Sequence, residues 1–374
     1  MGLEKKKKST LWIIGIIVIA VGLGTFFFFE EIVSGETIKI GVPFPITGTA
    51  NEIGKQMRDG MQMAVDEINS RGGINGRHIE LIIVDNETNL EKIKKDFLEI
   101  EETHAPLMYV SSLSSQSTAV SPLAEENEVV LIAIGATAPG VTKQKEWTYR
   151  YFPTAGDEVI PIIRMLKDFN VNNLGILYQN DEFGRSVLVA LETEFENDEG
   201  TISKEPFAPD AVYYKDQIVK LQNEDAVVII AWPEHVELIL KQIRETDYQG
   251  HIIGSSDSAT PFIFHMPEAD GVYLATPAIY DSNFLFARMV SENFESRYNK
   301  QFDHWAANGY DLIRILDGLL ENEELTRENV KNILDQGFSY SGVFGSVDIL
   351  PGEHDMGFQL FPSKVVNGKL EFRR

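Results

Sequence analysis

The chain has no cysteine among its 374 residues. That excludes disulfide bonds, thiolate metal sites and a lipid-modified cysteine anchor. Basic residues are also scarce: 57 Asp and Glu against 33 Lys and Arg give a formal net charge of −24. Nucleic acid and anionic lipid are held by basic patches, so a surface of this sign disfavours both as partners. The motifs of catalysis are missing as well. There is no HExxH, no phosphate loop ending in GKS or GKT, no GxGxxG and no GxSxG. His78, His104, His235, His251, His265, His304 and His354 are scattered, with no two at metal-ligand spacing. The acidic loops DNETNLE (85–91) and QNDEFG (179–184) lack the alternating ligand set of a calcium loop. In so acidic a chain paired carboxylates arise by chance, so they carry no glycosidase argument. No enzyme, metal or cofactor is expected.

One long apolar run is present. Residues 9–29, STLWIIGIIVIAVGLGTFFFF, contain no charge. At about 1.5 Å per residue such a run crosses a hydrocarbon core of about 30 Å. Lys5, Lys6, Lys7 and Lys8 precede it, which sets the N-terminus in the cytoplasm and the remainder outside. The competing reading is a signal peptide cleaved near Val33-Ser34-Gly35. However, the run exceeds the ~7–15-residue core of a signal peptide, and Glu30 and Glu31 separate it from that site. The expectation is a retained transmembrane helix, with residues 1–36 forming a Lys-rich tip, anchor and short spacer.

From residue 38 onward, short apolar strands alternate with amphipathic helices. Residues 38–42, 79–84, 106–110 and 129–134 read as strands. Between them, 54–71 reads as a helix with Met57, Met61, Ala64, Val65 and Ile68 on one face. Strands that are apolar throughout belong to a parallel sheet covered on both faces. The alternation restarts after YRYFPTAGDE, with strands at 174–178, 226–231, 251–253 and 271–275. A helical stretch (283–336) and short β-like pieces follow. No Pro/Gly/Ser-rich linker divides the halves, so two α/β units must pack closely.

In such sheets ligands bind at the carboxyl ends of the strands. The loops there are PFPITGTANEIG, SSLSSQS (111–117) and GATAP (135–139) in the first unit. In the second they are QNDEFG, WPEH and GSSDSA. Hydroxyls and free N–H groups at a helix N-terminus favour an anion or a carboxylate. The competing reading is that Ser114 or Ser115 only caps the following helix.

The stretch IKIGVPFPITGTANEIGKQMRDGMQMAVDEINSRGGINGRHIELIIVDNET closely resembles the opening of the type I periplasmic binding proteins. These are the leucine/isoleucine/valine-binding kind that serve ATP-driven importers. The resemblance runs through SSQSTAVSPLAEENEVVLIAIGAT and GILYQNDEFG to YSGVFGSVDILPGEHD, covering about residues 37–370. It implies an α/β fold of two doubly wound, Rossmann-like lobes joined by three hinge crossings, near 154–157, Pro277 and 342–345. Lobe one would hold 37–155 and 278–343; lobe two, 156–277 and 344–374.

The resemblance also implies site residues. Ser115 would hold a ligand carboxylate, with Gly135, Ala136 and Thr137 completing that grip, and Phe183 would supply an aromatic ring. Three positions depart from the family. Ala231 stands where a Tyr is expected, though Trp232 follows. Ser256 stands where the acid for the ligand ammonium is expected, though Asp257 follows. Pro153-Thr154 replaces Arg-Thr. Asp257 is the expected counter-charge for an ammonium, with Asp181 and Glu182 as the other cleft-side acids. The competing reading is that Asp257 caps a helix starting near Ser258.

The function implied is an extracytoplasmic receptor, a monomer, that binds a small carboxylate-bearing solute such as an amino acid and delivers it to an ABC permease and ATPase. The alternative is a sensing ectodomain working with a signalling partner.

Overall fold

The computed structural model describes residues 37–195 and 200–373. The expected anchor, residues 9–29, lies outside them. Among the described residues no helix is long and apolar enough to cross a membrane.

The first lobe is built on strands β1 (Ile38–Phe44), β2 (Ile79–Asp85), β3 (Met108–Leu113), β4 (Val130–Gly135) and β5 (Thr148–Arg150). They lie in the order β2-β1-β3-β4-β5, all parallel. Helices α1 (Asn51–Ser70), α2 (Leu90–His104) and α3 (Ser114–Glu126) make the crossovers. Every residue of β3 and β4 is buried, as a sheet covered on both faces requires. Helix α2 starts on Asn89, whose side chain accepts the Glu91 and Lys92 N–H groups, and stops at Ala105 in the left-handed region.

The second lobe follows with α4 (Ala155–Asp168), β6 (Asn173–Gln179), α5 (Glu182–Phe195), β7 (Thr201–Phe207), α6 (Lys215–Lys220), β8 (Ala226–Ile230), α7 (Pro233–Arg244), β9 (His251–Gly254), α8 (Pro261–Phe264) and β10 (Tyr273–Pro277). The chain then returns to the first lobe as α9 (Leu285–Tyr298), α10 (His304–Leu320) and α11 (Arg327–Asp335). A hairpin, β11 (Phe338–Gly342) with β12 (Gly345–Ile349), precedes β13 (Leu360–Val366) and β14 (Lys369–Phe372). The second sheet has the order β14-β13-β10-β9-β8-β6-β7, with β13 antiparallel to both neighbours. Strand β7, TISKEPF, carries no apolar run and lies at the sheet edge, so only the structure reveals it.

Helix α10 lies in backbone contact with α1. A Cβ on Gly60 would fall 1.9 Å from the Ala306 carbonyl oxygen, and one on Gly309 would fall 2.3 Å from that of Met57. Only glycine permits this approach.

The chain passes between lobes three times. The first passage leads from β5 into α4, where Thr154 and Asp157 form a reciprocal capping box. The second follows Pro277. The third is not at 342–345, because Gly342 and Gly345 form the turn of the β11–β12 hairpin. That hairpin stays with the first lobe: the Asp311 carboxylate of α10 accepts the Val343 N–H at 2.9 Å and the Phe344 N–H at 3.1 Å. The chain next runs beside β5, with Arg150 N–H donating to His354 O at 2.8 Å and Met356 N–H to Arg150 O at 2.7 Å. It crosses only between Met356 and Leu360, so the boundary at 343/344 divides a hairpin of the first lobe.

Candidate ligand-binding cleft

The lobes face each other across the carboxyl ends of their strands and are in contact. Thr118 Oγ1 donates to Glu182 Oε1 at 2.7 Å, and the Thr137 and Ser186 hydroxyls are 3.4 Å apart.

In the first lobe, the β3–β4 register pairs Leu113 with Gly135. The loops that follow therefore leave the sheet side by side. The serine-rich stretch is mostly internal wiring. Ser111 and Ser117 bond each other at 2.8 Å, and Ser112 donates to Gln116 Oε1 at 2.6 Å. Gln116 in turn makes a reciprocal amide pair with Asn86. Ser114 Oγ accepts the N–H groups of Thr137 at 3.1 Å and Ala138 at 3.3 Å, tying the two loops together. Ser115 alone of the five serines is partly exposed and has no hydrogen bond among the described residues. Neither Ser114 nor Ser115 caps α3, which starts after Leu113 with no side-chain cap. The first N–H groups of a 13-residue helix are thus left to an outside acceptor, beside a free hydroxyl.

Gly135, Ala136 and Thr137 are held in place from beneath. Arg150, almost fully buried, donates to Ala136 O at 3.1 Å and Ala138 O at 3.0 Å, and pairs with Asp355 at 2.8 Å. A Cβ on Gly135 would lie 3.2 Å from the Trp305 ring, so this loop packs directly on α10.

In the second lobe, Phe183 and Trp232 are buried and join the apolar cluster that contains Phe152 and Trp305 of the first lobe. Phe152 and Trp305 stack at 5.3 Å. Asp257 lies in the single turn Ser256–Ser258 and is buried, and its Oδ2 has no partner among the described residues; nor has the Ser255 hydroxyl. Asp257 caps no helix: α8 starts at Pro261 and is capped by Thr260.

Burial pushes the Asp257 carboxyl well above the carboxylate range, and the Glu158 and Asp181 charges push the same way. Glu158, from the first turn of α4, is fully buried. It accepts the Ser256 N–H and, at 2.5 Å, the Ser256 hydroxyl. Burial raises it to about 7 against the pull of those bonds. Burial also raises Asp181, although Gly184 N–H and Gln179 Nε2 donate to it at 2.9 and 2.8 Å.

Glu158 and Trp305 escape sequence reasoning, because they sit inside helices rather than in strand-end loops and no short motif marks either; Ser255 stands in the loop GSSDSA without being singled out there. Among the described residues no group of three His, Cys, Asp or Glu side chains is arranged to hold a metal ion.

Two α/β lobes thus touch at the carboxyl ends of their strands, and the second holds Asp257 Oδ2 and the Ser255 hydroxyl buried without partners among the described residues. The family model for periplasmic binding proteins matches residues 37–369, and the chain belongs to that family. Leu/Ile/Val-binding protein homolog 7 of Brucella abortus (strain 2308) is 26% identical over 345 residues, covering 86% of this chain and 84% of the relative. The branched-chain amino acid transporter substrate binding protein LivJ from Streptococcus pneumoniae, in complex with isoleucine, superposes with a TM-score of 0.80 at 21% identity, over 90% of this chain and 98% of that one. A solute binding protein of an ABC transporter from R. palustris, in complex with benzoate, gives a TM-score of 0.83 at 16% identity, over 90% and 95%. The chain is a binding protein and not an enzyme.

Proposed function

We propose that the protein is an extracytoplasmic receptor that captures an amino acid or a closely related zwitterion between its lobes and delivers it to an ABC permease and ATPase. One pairing of features supports this most. The first lobe offers an uncapped helix N-terminus with the Ser115 hydroxyl, and the second offers a buried Asp257 carboxyl with an unpartnered oxygen. The carboxylate of the solute would sit at α3, held by Ser115, Thr137 and the backbone of Gly135 and Ala136. Its ammonium would meet Asp257, because a buried acid without a cation is costly. Phe183, Trp232 and Trp305 would form the apolar wall between them.

The solved relatives sharpen the choice. Isoleucine and benzoate both carry a carboxylate, whereas only isoleucine carries an ammonium. Asp257 is therefore the residue that separates an amino-acid receptor from a plain carboxylate receptor. Residues 9–29 would tether the receptor to the membrane with its lobes outside.

Native mass spectrometry of the full chain purified from its own membrane tests the ligand. The expected result is a bound mass that matches an amino acid. A bound acid lacking an amino group would overturn the amino-acid reading. N-terminal sequencing of the same material tests the tether: a start at Met1 or Gly2 is expected, and a start at Glu36 would sink it.

A further inference from the structure

The carboxyls at the second-lobe end of the cleft exceed the positive charges that face them. Glu158 and Asp257 come from different elements, the hinge-side end of α4 and the Ser256–Ser258 turn, and both are buried. They meet at Ser256, which gives both its N–H and its hydroxyl to Glu158. The charges acting on this pair from its surroundings are acidic, Asp157 on Glu158 and Asp181 on Asp257. Arg185 acts on Asp181, while its own guanidinium bonds Asn180. From the first lobe, His304 lies against the same segment, its Nδ1 3.2 Å from Ala259 O. Burial pushes His304 down to about 3, so it stays neutral. Asp257 Oδ2 and Ser255 Oγ, both buried and unpartnered among the described residues, are the acceptors left over. Two buried carboxyls on either side of the Ser256 bonds, each resisting the other's charge, cannot both ionise cheaply, so the pair keeps a proton until a cation arrives.

We propose that Glu158 is a positioning residue for ligand recognition. Through Ser256 it fixes the turn that carries Asp257, and as the second buried carboxyl it makes this end of the cleft accept a group that brings its own positive charge, with one proton lost from the pair on binding. The proposal rests on the assignment of Asp257 above. The balance is simple. The solute enters as R–NH3⁺ and keeps its three protons. The Glu158–Asp257 pair gives one proton to the buffer; Asp257 then takes the ammonium while Glu158 keeps the two Ser256 donors. A neutral group in the same place leaves that proton where it is.

The test is calorimetry on the full chain with each of the twenty protein L-amino acids, in buffers of high and low ionisation enthalpy at neutral pH. The amino acid that binds should show a buffer-dependent enthalpy equal to about one proton released. Its affinity should fall by up to about tenfold per pH unit on acidification below the titration of the pair. Glu158→Gln should remove most of the proton release and move that fall to lower pH. It should also narrow, by about tenfold, the preference for the amino acid over its des-amino acid. Ser256→Ala keeps both charges, so it should weaken binding while retaining the proton release. If Glu158→Gln does not fold, the wild-type buffer comparison and Ser256→Ala decide the matter. An amino acid that binds with a buffer-independent enthalpy overturns the proposal and leaves the amino-acid reading standing. So does a Glu158→Gln protein that loses both solutes equally with an unchanged pH profile. If none of the twenty binds, the amino-acid reading fails and this proposal fails with it.

Discussion

Around SSLSSQS in the first lobe, four of the five hydroxyls are engaged before any solute is considered, and Ser115 alone points to a job outside the protein. Around GSSDSA in the second lobe the balance is reversed: the Ser255 hydroxyl and Asp257 Oδ2 are buried with no partner among the described residues. A satisfied network holds its shape without help, whereas buried polar atoms without partners destabilise the protein that holds them. On the proposed reading the first lobe would therefore offer a preformed anion seat. The second holds buried acids without a cation, and on the proposed reading selectivity would concentrate there.

The sharpest way to break this comparison is Asp257→Asn. Affinity for the amino acid should fall by about 2–5 kcal/mol, while binding of its des-amino acid barely changes and the ligand-free protein melts higher. Calorimetry and thermal melts read all three, and an equal loss for both solutes would show that Asp257 only holds its loop. The same pair sets a pH dependence. Glu158 and Asp257 have folded-state values raised above their ordinary ones, so their stability contribution is complete at low pH and is lost as pH rises through the raised values. Ligand-free protein should accordingly melt at lower temperature at pH 8 than at pH 5. Glu234, Asp303 and Asp311 are raised by burial and act in the same direction, whereas His235, His251 and His304 are lowered by burial and act oppositely, so the decisive reading is the change in slope that Asp257→Asn with Glu158→Gln makes, expected to be a reduction.

Next in size is Ser115→Ala. A hydroxyl bond to a carboxylate is worth roughly 1.5–3 kcal/mol, so affinity should drop about ten- to a hundredfold with the melting temperature unchanged. A fall in melting temperature at constant affinity would refute the anion seat. Ser114→Ala should do the opposite. It leaves the Thr137 and Ala138 N–H groups without their acceptor, at a cost of about 1–3 kcal/mol in denaturant-measured stability. Smallest is Thr118→Val, which removes the partly buried bridge to Glu182 between the lobes. It should weaken solute binding by no more than about 1 kcal/mol. Small-angle scattering at partial saturation should show a larger radius of gyration than the wild type, and no difference would mean that the bridge does not hold the lobes together.

Much of the fold is legible in the sequence because the parallel strands are unbroken apolar runs, as in VLIAIG of β4. Where that rule fails, so does the reading: TISKEPF forms an edge strand despite its Lys, Glu and Pro, and the Gly342–Gly345 turn stays within one lobe. The cleft is less legible. Ser115 and Asp257 stand in strand-end loops, where ligands are sought. Glu158 reaches Ser256 across 98 positions of sequence, and no local pattern announces such a meeting. Nor does composition reveal which of several serines is left free, because that depends on which hydroxyls their neighbours have already claimed.

The close backbone packing of α10 on α1 bears on how the chain is made. The covering for α1 is encoded by residues 304–320, and the strands β13 and β14 that complete the second sheet come later still. A nascent chain that has emerged only as far as Pro277 holds all five strands of the first sheet but not the helix that packs on α1, and it lacks β13 and β14 of the second sheet. Its buried glycine face on α1 stays wet until Ala306 arrives. The contact of α10 with α1 can therefore form only after residues 304–320 have been made, more than 230 positions after α1 itself.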